Sequence, residues 1–393
     1  MNRIAIKMLV GDVAKYFGIL LGITFAALLI TQQSSIFVGL MSRTYAFVAD
    51  TSLPDIWVTD PEVKYIDELE PMQSTALDRV RGVPDVQWAV PMYKAVLRGR
   101  LQNGTFRSVI VVGLDDATLI GGPPKMVEGD LGDLRRADGV ILDVVSARTR
   151  LARYSAYDAQ GNPAKDAERI PMAVGDTLQI NDRRAVVVGL CEVTRTFQSQ
   201  PVIYTTYTRA LSFAPPERKQ MSLILAKAAD GVDPTALSDR ITATTSLRAR
   251  TAEQMQWDTI LYYLKNTGIP INFGIAVLLG FLVGVAIAGQ TFYNFTLDNL
   301  RYFGALKAMG GSTWLLLRMV LLQALLAGAI GYGLGVGLAA LFGIQAGGTE
   351  LAFRMTWHIP AISAAAVALI CALSSLVSMI KVIRLEPAVV FRG

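Results

Sequence analysis

Apolar residues in this chain gather into four runs that contain no charged residue. One run lies near the N-terminus and three lie close together towards the C-terminus: Phe17–Ser42, Ile271–Tyr293, Met319–Thr349 and Ile359–Ile380. A helix crosses a bilayer with about 20 mainly apolar residues, and each run is long enough for that. The pattern predicts transmembrane helices at residues 17–42, 270–293, 313–345 and 358–380, with a short loop at 346–357.

The long segment between the first two runs, residues 43–268, alternates strand-like and helical patterns. The Asn103-Gly104 turn separates two strand-like runs and indicates a hairpin. Asp233 can cap a helix that begins with Pro234. The predicted elements are strands at Asp55–Thr59, Val86–Arg100, Phe106–Leu114 and Ser222–Ala226, and helices at Met72–Val83 and Pro234–Thr244. They indicate an α/β sandwich formed by residues 43–115 and 216–250.

Residues 116–215 interrupt this sandwich in the sequence. Short apolar runs separated by Gly and Asp turns predict a β-rich insertion lobe with strands at Gly139–Asp143, Asp176–Ile180 and Arg184–Leu190. The polar stretch 154–170 is interpreted as a loop. Residues 251–268 carry apolar positions at helical intervals, and two interpretations stay open: a stalk leading to the second span, or a surface helix of the domain.

The N-terminal residues 1–16 have the pattern of an amphipathic helix, with Ile4, Met8 and Leu9 opposed to Arg3, Lys7 and Lys15. We interpret this segment as an interfacial helix in front of an uncleaved first span. A cleaved signal peptide is not expected, because its apolar core is shorter than Phe17–Ser42.

Composition agrees with an integral membrane protein. Charged residues make up 18% of the chain, whereas ordinary soluble domains carry about a quarter. The net charge of +5 sits mostly at span ends, and no basic stripe is interleaved with aromatic residues, so nucleic acid is not an expected partner. Membrane lipid is.

Lysine and arginine at the span ends predict the orientation. They are concentrated before span one, between spans two and three, and after span four, whereas the loop between spans three and four carries only Arg354. Cytoplasmic segments are the Lys/Arg-rich ones, so both termini, including the tail 381–393, and the loop 294–312 are expected in the cytoplasm. The sequence thus predicts an α-helical membrane protein with four spans and a large extracytoplasmic α/β domain containing a β-rich insertion lobe.

The predicted spans contain no ionisable residue at mid-depth, where pumps and membrane enzymes usually keep one. Their polar residues are interpreted as helix–helix contacts: Thr31–Ser35, Gln290, Gln323 and Ser374-Ser375. Glycines at 328, 331, 333, 335 and 337 of span three predict a packed interface, within the chain or at a dimer seam. The two cysteines, Cys191 and Cys371, are expected on different sides of a membrane boundary, so no disulfide and no metal site is predicted. The only histidine, His358, is expected at an interface, so no catalytic residue is assigned.

The loop at 294–311 is the most specific local signal. Leu297, Leu300, Phe303 and Leu306 recur at helical spacing, Gly310-Gly311 ends the pattern, and Ser312 can cap the next helix. A short helix lying along the membrane can receive force from a soluble partner. It can also serve only as an anchor.

At this point the chain resembles the FtsX-like permease family of ABC transporters, and within it the DevC and MacB-type branch. Three features carry the resemblance. The one-plus-three span layout encloses a large outer domain, Arg301–Gly310 follows the pattern R-x-x-G-x-L-K/R-A-x-G, and Leu385-Glu386-Pro387-Ala388 is similar to the family's D-P-A tail. Val174–Thr177 and Val186–Gly189 look like the family's small insertion lobe. One departure is Phe303, where family members often carry Glu.

The resemblance implies a mechanotransmitting exporter of type VII, with two permease chains, a homodimer being expected. MacB-type relatives carry their own nucleotide-binding domain, whereas this sequence begins at the membrane segment and contains no G-x-x-x-x-G-K-[ST] phosphate loop. The ATP is therefore expected on a separate cytoplasmic ABC ATPase dimer, with no cofactor in this chain. Contacts with the ATPase are expected at Arg301, Tyr302, Gly304, Leu306, Lys307 and Met309.

On the outer side, a periplasmic membrane-fusion adaptor and an outer-membrane channel are expected. Two alternatives stay open: a lipoprotein-releasing permease, and a non-transporting regulator of cell-wall hydrolases.

Overall fold

A computed structural model describes residues 2–157, 164, 166–216, 220–347 and 350–383. The chain divides into two compact units. The helical unit comprises Met1–Leu40 and Thr267–Gly393, and the α/β unit comprises Met41–Asn266. The C-terminal motif predicted at 385–388 and most of the tail lie outside the described residues, as does the middle of the polar stretch 154–170.

Twelve α-helices lie in the described part of the chain: α1 Asn2–Gly11, α2 Val13–Thr44, α3 Ala46–Asp50, α4 Thr75–Arg81, α5 Val144–Arg148, α6 Tyr207–Phe213, α7 Pro234–Thr245, α8 Ala252–Asn266, α9 Ile269–Asp298, α10 Leu300–Ala308, α11 Thr313–Ala346 and α12 His358–Ile383. A 3₁₀ helix covers Leu131–Arg135. The strands are β1 Ile56–Thr59, β2 Val86–Arg100, β3 Phe106–Leu114, β4 Lys125–Glu128, β5 Gly139–Asp143, β6 Arg153–Tyr154, β7 Arg169–Ile170, β8 Thr177–Ile180, β9 Arg183–Glu192, β10 Val202–Thr206, β11 Leu223–Ala228 and β12 Arg248–Thr251.

Among the described residues, four helices are long and apolar enough to cross a membrane: α2, α9, α11 and α12. This confirms the number and the places of the predicted spans. In the helical unit, α2 packs between glycine-bearing faces of α9 and α11. A Cβ built on Gly284 of α9 would lie 2.6 Å from the Ala26 Cβ, and one on Gly335 of α11 would lie 2.6 Å from the Ala27 Cβ. Backbones approach this closely only where a side chain is missing.

Polar side chains also join these helices. The Thr31 hydroxyl of α2 donates to the Ser363 hydroxyl of α12 at 2.9 Å, and the Gln323 amide of α11 donates to the Ala5 carbonyl of α1 at 2.8 Å. All four residues are buried. The interpretation of Thr31 and Gln323 as helix–helix contacts is confirmed.

The α/β unit is built on one mixed sheet with the strand order β12-β1-β11-β2-β3-β10-β5-β9-β4, and β8 pairs with β2 and β9. Apolar residues cover both faces, so helices must cover both as well. Helices α4 and α7 pack on Ile56, Ile224 and their neighbours on one face, and α3 and α8 contribute to the cluster around Trp57 and Met92 on the other.

Most predicted elements of this unit are present. The hairpin strands β2 and β3 begin and end at the predicted residues. The Asp233 carboxylate caps α7, which begins at Pro234 as predicted. The insertion strands at 139–143, 176–180 and 184–190 appear as β5, β8 and β9.

The insertion is continuous with the main sheet, which the sequence did not indicate. Strand β10, which was not predicted, pairs in parallel with β3 and antiparallel with β5. It therefore joins the hairpin to the inserted strands. Helix α8 buries Met255, Thr259 and Tyr263 inside the α/β unit, as the surface-helix interpretation expects.

Candidate functional site

The predicted 294–312 loop forms a compact helical corner. Helix α9 continues to Asp298, because residues 294–298 contain neither Gly nor Pro to end it. The Asn299 side-chain amide donates to the Phe295 carbonyl at 2.8 Å, and α10 follows at once. Gly310 adopts a φ of +90°, which an L-residue side chain disfavours, and the Ser312 hydroxyl caps α11 by accepting from the Leu315 amide.

The inner side of α10 is anchored by Phe303. This ring is 0% exposed and lies in an apolar cluster with Ala5 of α1 and with Leu316, Met319 and Val320 of α11. The cluster couples α10 to two other helices. Phe303 is the residue at which the sequence departs from the usual Glu, and burial in an apolar cluster explains why an apolar ring suits this position.

The structure divides the predicted contact residues by exposure. Arg301 is exposed, as are Tyr302 (63%) and Met309 (75%). Leu306 and Lys307 are half-buried, and Leu306 packs against the Phe303 cluster. Gly304 is buried, so its surroundings are neighbouring groups of the same unit.

A groove of about 590 Å³ runs between α1 and α10. Tyr302, Leu306 and Met309 form one side, and Ile4 and Met8 form the other. Its walls are mainly apolar, which suits the side chain of a docking protein. The sequence located the α10 side but gave α1 only an interfacial role. The available signal was the amphipathic pattern of residues 1–16, in which Ile4 belongs to the apolar face; in the structure Ile4 is exposed and lines the groove.

Charged residues lie at one end of the groove. Lys15 forms an ion pair with Asp12 at 2.7 Å and another with Asp298, so it links the α1–α2 junction to the end of α9. Hydrogen bonds from Lys15 lower the pKa of Asp12, which therefore stays ionised at neutral pH. The ion pairs hold the groove's two sides together at this end.

The α/β unit contains a buried ion pair that the sequence did not reveal. The Lys94 ammonium, 6% exposed, contacts the Asp67 carboxylate at 2.7 Å and donates to the Ile66 carbonyl at 3.0 Å. Lys94 lies in an otherwise apolar stretch of β2, and that was the available signal. The pair ties the 60–70 segment to the sheet.

Burial shifts the pKa values of two ionisable residues of the α/β unit. Burial raises the pKa of Tyr65 to about 12, so its hydroxyl keeps its proton at neutral pH. Burial also raises the pKa of the Cys191 thiol, which makes it a poor nucleophile. Among residues 2–383 outside the undescribed gaps, no three His, Cys, Asp or Glu side chains are grouped as metal ligands.

Comparison with protein families decides what this architecture belongs to. The MacB-like periplasmic core domain matches residues 17–244, and the FtsX-like permease C-terminal domain matches residues 274–387. The chain belongs to the MacB/FtsX-like family of ABC transporter permeases. Helix α10 lies inside the second matched region, and the sheet of the permease's periplasmic-type domain lies almost wholly inside the first.

Solved structures similar to the permease include two outer domains. The periplasmic region of MacB from Actinobacillus actinomycetemcomitans is 17% identical, with 56% of this chain and 96% of that chain covered and a TM-score of 0.35. The extracellular domain of the noncanonic ABC-type transporter YknZ from Gram-positive bacteria is 8% identical, with 50% and 98% covered and a TM-score of 0.32. No curated protein sequence matches the permease.

Proposed function

We propose that this permease is the transmembrane subunit of a mechanotransmitting exporter, and that a separate cytoplasmic ATPase docks in the groove between α1 and α10. The observation that carries the proposal is the two-sided character of α10. Its outer side exposes Arg301, Tyr302 and Met309, while its inner side is fixed by Phe303. A docking helix needs both an accessible contact surface and a rigid attachment.

A push on α10 would reach the spans through contiguous contacts. Phe303 packs on α11, Asn299 joins α10 to α9 through a hydrogen bond, and α9 and α11 pack on α2 through their glycines. Close-packed helices transmit displacement because their interiors have low compressibility. ATP binding and hydrolysis in the partner would therefore move these spans.

The permease would lie in the inner membrane with both termini and α10 in the cytoplasm, and it would work as a dimer. Its α/β unit would then act on substrate in the periplasm, together with an adaptor and an outer-membrane channel. The Lys/Arg distribution at the span ends supports this orientation.

The test compares substitutions at the exposed side of α10 with one on α11. The Arg301→Glu, Met309→Glu double variant places one carboxylate on the exposed side of α10 and one at Met309, which follows α10 and lines the groove. The control, Arg318→Glu, reverses an exposed arginine of α11 that does not line the groove. Tagged permease is purified from mild detergent, the co-purified ATPase is quantified, and its ATP turnover is measured with and without permease.

We expect the double variant to retain about one tenth or less of the co-purified ATPase and of the stimulated turnover, because it reverses one exposed charge and places a second carboxylate in a mainly apolar groove. The control should behave like wild type. Wild-type turnover in the double variant, with its thermal unfolding unchanged, would contradict docking at this groove. The Lys307→Glu variant is measured in parallel. Because Lys307 is half-buried, the thermal unfolding of this variant is compared with that of wild type to separate a loss of ATPase contact from unfolding.

A further inference from the structure

Strand β2 is longer than the strands that pair with it on one side. Strand β3 pairs with residues 93–100 of β2 along one edge. On the opposite edge, β11 pairs with residues 86–92 and β8 with Gly99 and Arg100. Within the described part of the chain, the stretch of β2 from Tyr93 to Arg98 thus has no strand on that edge.

Neighbouring residues form hydrogen bonds with backbone groups at both ends of this open edge. Residues 94, 96 and 98 point their backbone groups the same way, because the direction alternates along a strand. The Ser222 hydroxyl bonds both the amide and the carbonyl of Lys94, and the Asn181 amide donates to the Arg98 carbonyl at 3.0 Å. The Val96 amide and carbonyl have no hydrogen-bond partner among the described residues on this edge, and Val96 is 48% exposed.

Val96 lies at the end of a groove of about 730 Å³. Arg98 and Arg100 of β2, Phe106 of β3 and Arg183 of β9 line it. The Arg98 guanidinium lies 3.7 Å from the centre of the Phe106 ring, a cation–π contact that holds the guanidinium over the sheet face. The volume is in the usual range for ligand sites.

The described lining residues give this groove a net positive charge. None of the three arginines forms an ion pair with a described residue, and Asp182 is the acidic residue among the described lining residues. Arginines with a neighbouring aromatic ring are typical of the energetic centre of a protein interface. The groove therefore has three guanidinium groups available for acidic groups of a partner.

The wall of the groove is fixed before anything binds. The β8–β9 turn uses Asn181 and Asp182 in the left-handed region, with φ of 47° and 63°. The Asn181 side chain donates to the Phe213 carbonyl at 2.8 Å, and its backbone amide donates to the Arg98 carbonyl of β2. A preformed wall loses little entropy on binding.

We propose that this groove binds an extended acidic polypeptide segment, which adds as a short strand at Val96 and places its carboxylates over Arg98, Arg100 and Arg183. The unpartnered amide and carbonyl of Val96 favour a polypeptide, because a peptide backbone offers the matching acceptor and donor. A lipid phosphate group offers acceptors for the guanidinium groups but no donor for the Val96 carbonyl. This binding surface lies in the α/β unit and does not depend on the proposed ATPase docking.

The experiment uses full-length permease in detergent and a fluorescein-labelled peptide of four Glu-Thr repeats. Side chains alternate along a strand, so all its carboxylates can face the arginines. Fluorescence anisotropy should show binding that weakens with salt, whereas the matching Lys-Thr peptide should not bind. The Arg98→Ser, Arg100→Ser double variant should weaken binding by about tenfold or more, as expected when charged hydrogen bonds are lost.

The control variant is Arg107→Ser, on the same hairpin. Arg107 is exposed, is next to Phe106 in β3 and points to the other face of the sheet, so binding should stay unchanged. Backbone pairing is tested with two peptides that carry N-methyl groups on alternate residues, in opposite phases. Strand addition predicts that one phase abolishes binding and the other retains it.

Three results would overturn the proposal: no binding of the Glu-Thr peptide to wild type, equal binding to the Arg98, Arg100 double variant, or equal binding of both N-methylated peptides. Phosphatidylglycerol, added to the same detergent micelles, is tested as a competitor. If it displaces the peptide and binds with the same dependence on Arg98 and Arg100, the groove is a lipid-phosphate site. Thermal unfolding checks that each variant folds, and Arg183→Ser serves as an independent second variant.

Discussion

At the scale of single residues, the permease uses buried groups to fix segments that surround its grooves. Phe303 fixes α10, and Lys94 fixes the 60–70 segment through Asp67. These two anchors differ in their chemistry. The apolar ring gains from burial outright, whereas the ammonium is stable in the interior only while its carboxylate partner and the Ile66 carbonyl are present.

This difference gives a prediction for Lys94. Asp67→Ala should destabilise the α/β unit by about 1–3 kcal/mol, because it leaves the buried ammonium without its counter-charge. The double variant Asp67→Ala, Lys94→Met should recover most of that loss, because no buried charge then remains. Chemical denaturation of the detergent-solubilised permease, followed by the intrinsic fluorescence of its five tryptophans, measures both. A double variant no more stable than the single one would show that the salt bridge is not the source of the loss.

At the scale of elements, glycine positions in α11 distinguish intrachain contacts from open faces. A Cβ on Gly335 would meet the Ala27 Cβ at 2.6 Å and the Thr24 carbonyl oxygen at 2.7 Å, whereas a Cβ on Gly333 would have no described atom within 4 Å. The packed interface predicted for this run is therefore formed within the chain at Gly328, Gly331 and Gly335.

Two alanine substitutions on α11 should consequently have opposite signs. Gly335→Ala should destabilise the permease by about 1–3 kcal/mol through overpacking against α2. Gly333→Ala should be neutral or stabilising, by up to about 1 kcal/mol, because alanine is the better helix former. Thermal unfolding in detergent compares them. If Gly333→Ala is as damaging as Gly335→Ala, the Gly333 face is packed against something beyond this chain.

Sequence patterns predicted those elements whose own residues define them. The bounds of β2 and β3 were predictable because two strand-like runs flank the Asn103-Gly104 turn. Those of α7 were predictable because Asp233 caps the helix and Pro234 begins it. Strand β10 was not, because a short buried run gains its strand character only from its neighbours β3 and β5. The same holds for the groove along α1 and α10. Each wall is amphipathic in sequence, but their juxtaposition is set by tertiary contacts with α11.

At the scale of the whole molecule, each of the two units presents a groove, and the two grooves differ in character. The helical unit presents a mainly apolar groove beside an anchored helix, and the α/β unit presents a basic groove beside an open strand edge. The proposed function requires these two grooves to face different compartments. The Lys/Arg distribution predicts that arrangement, and a labelling experiment tests it directly.

The orientation is tested with single cysteines introduced at two exposed positions. The native thiols Cys191 and Cys371 are both buried, so they should react little with a thiol probe. Burial also raises the pKa of Cys191, so the native protein should give a low background with maleimide. Asp239→Cys places a thiol on the exposed side of α7, and Met309→Cys places one directly after α10, at the groove. In cells with a permeabilised outer membrane and an intact inner membrane, a maleimide that cannot cross the inner membrane should label Asp239→Cys at once. It should label Met309→Cys only after the inner membrane is broken. The reverse pattern would place α10 outside the cytoplasm, where no ATPase could reach its groove, and the proposed coupling would fail with it.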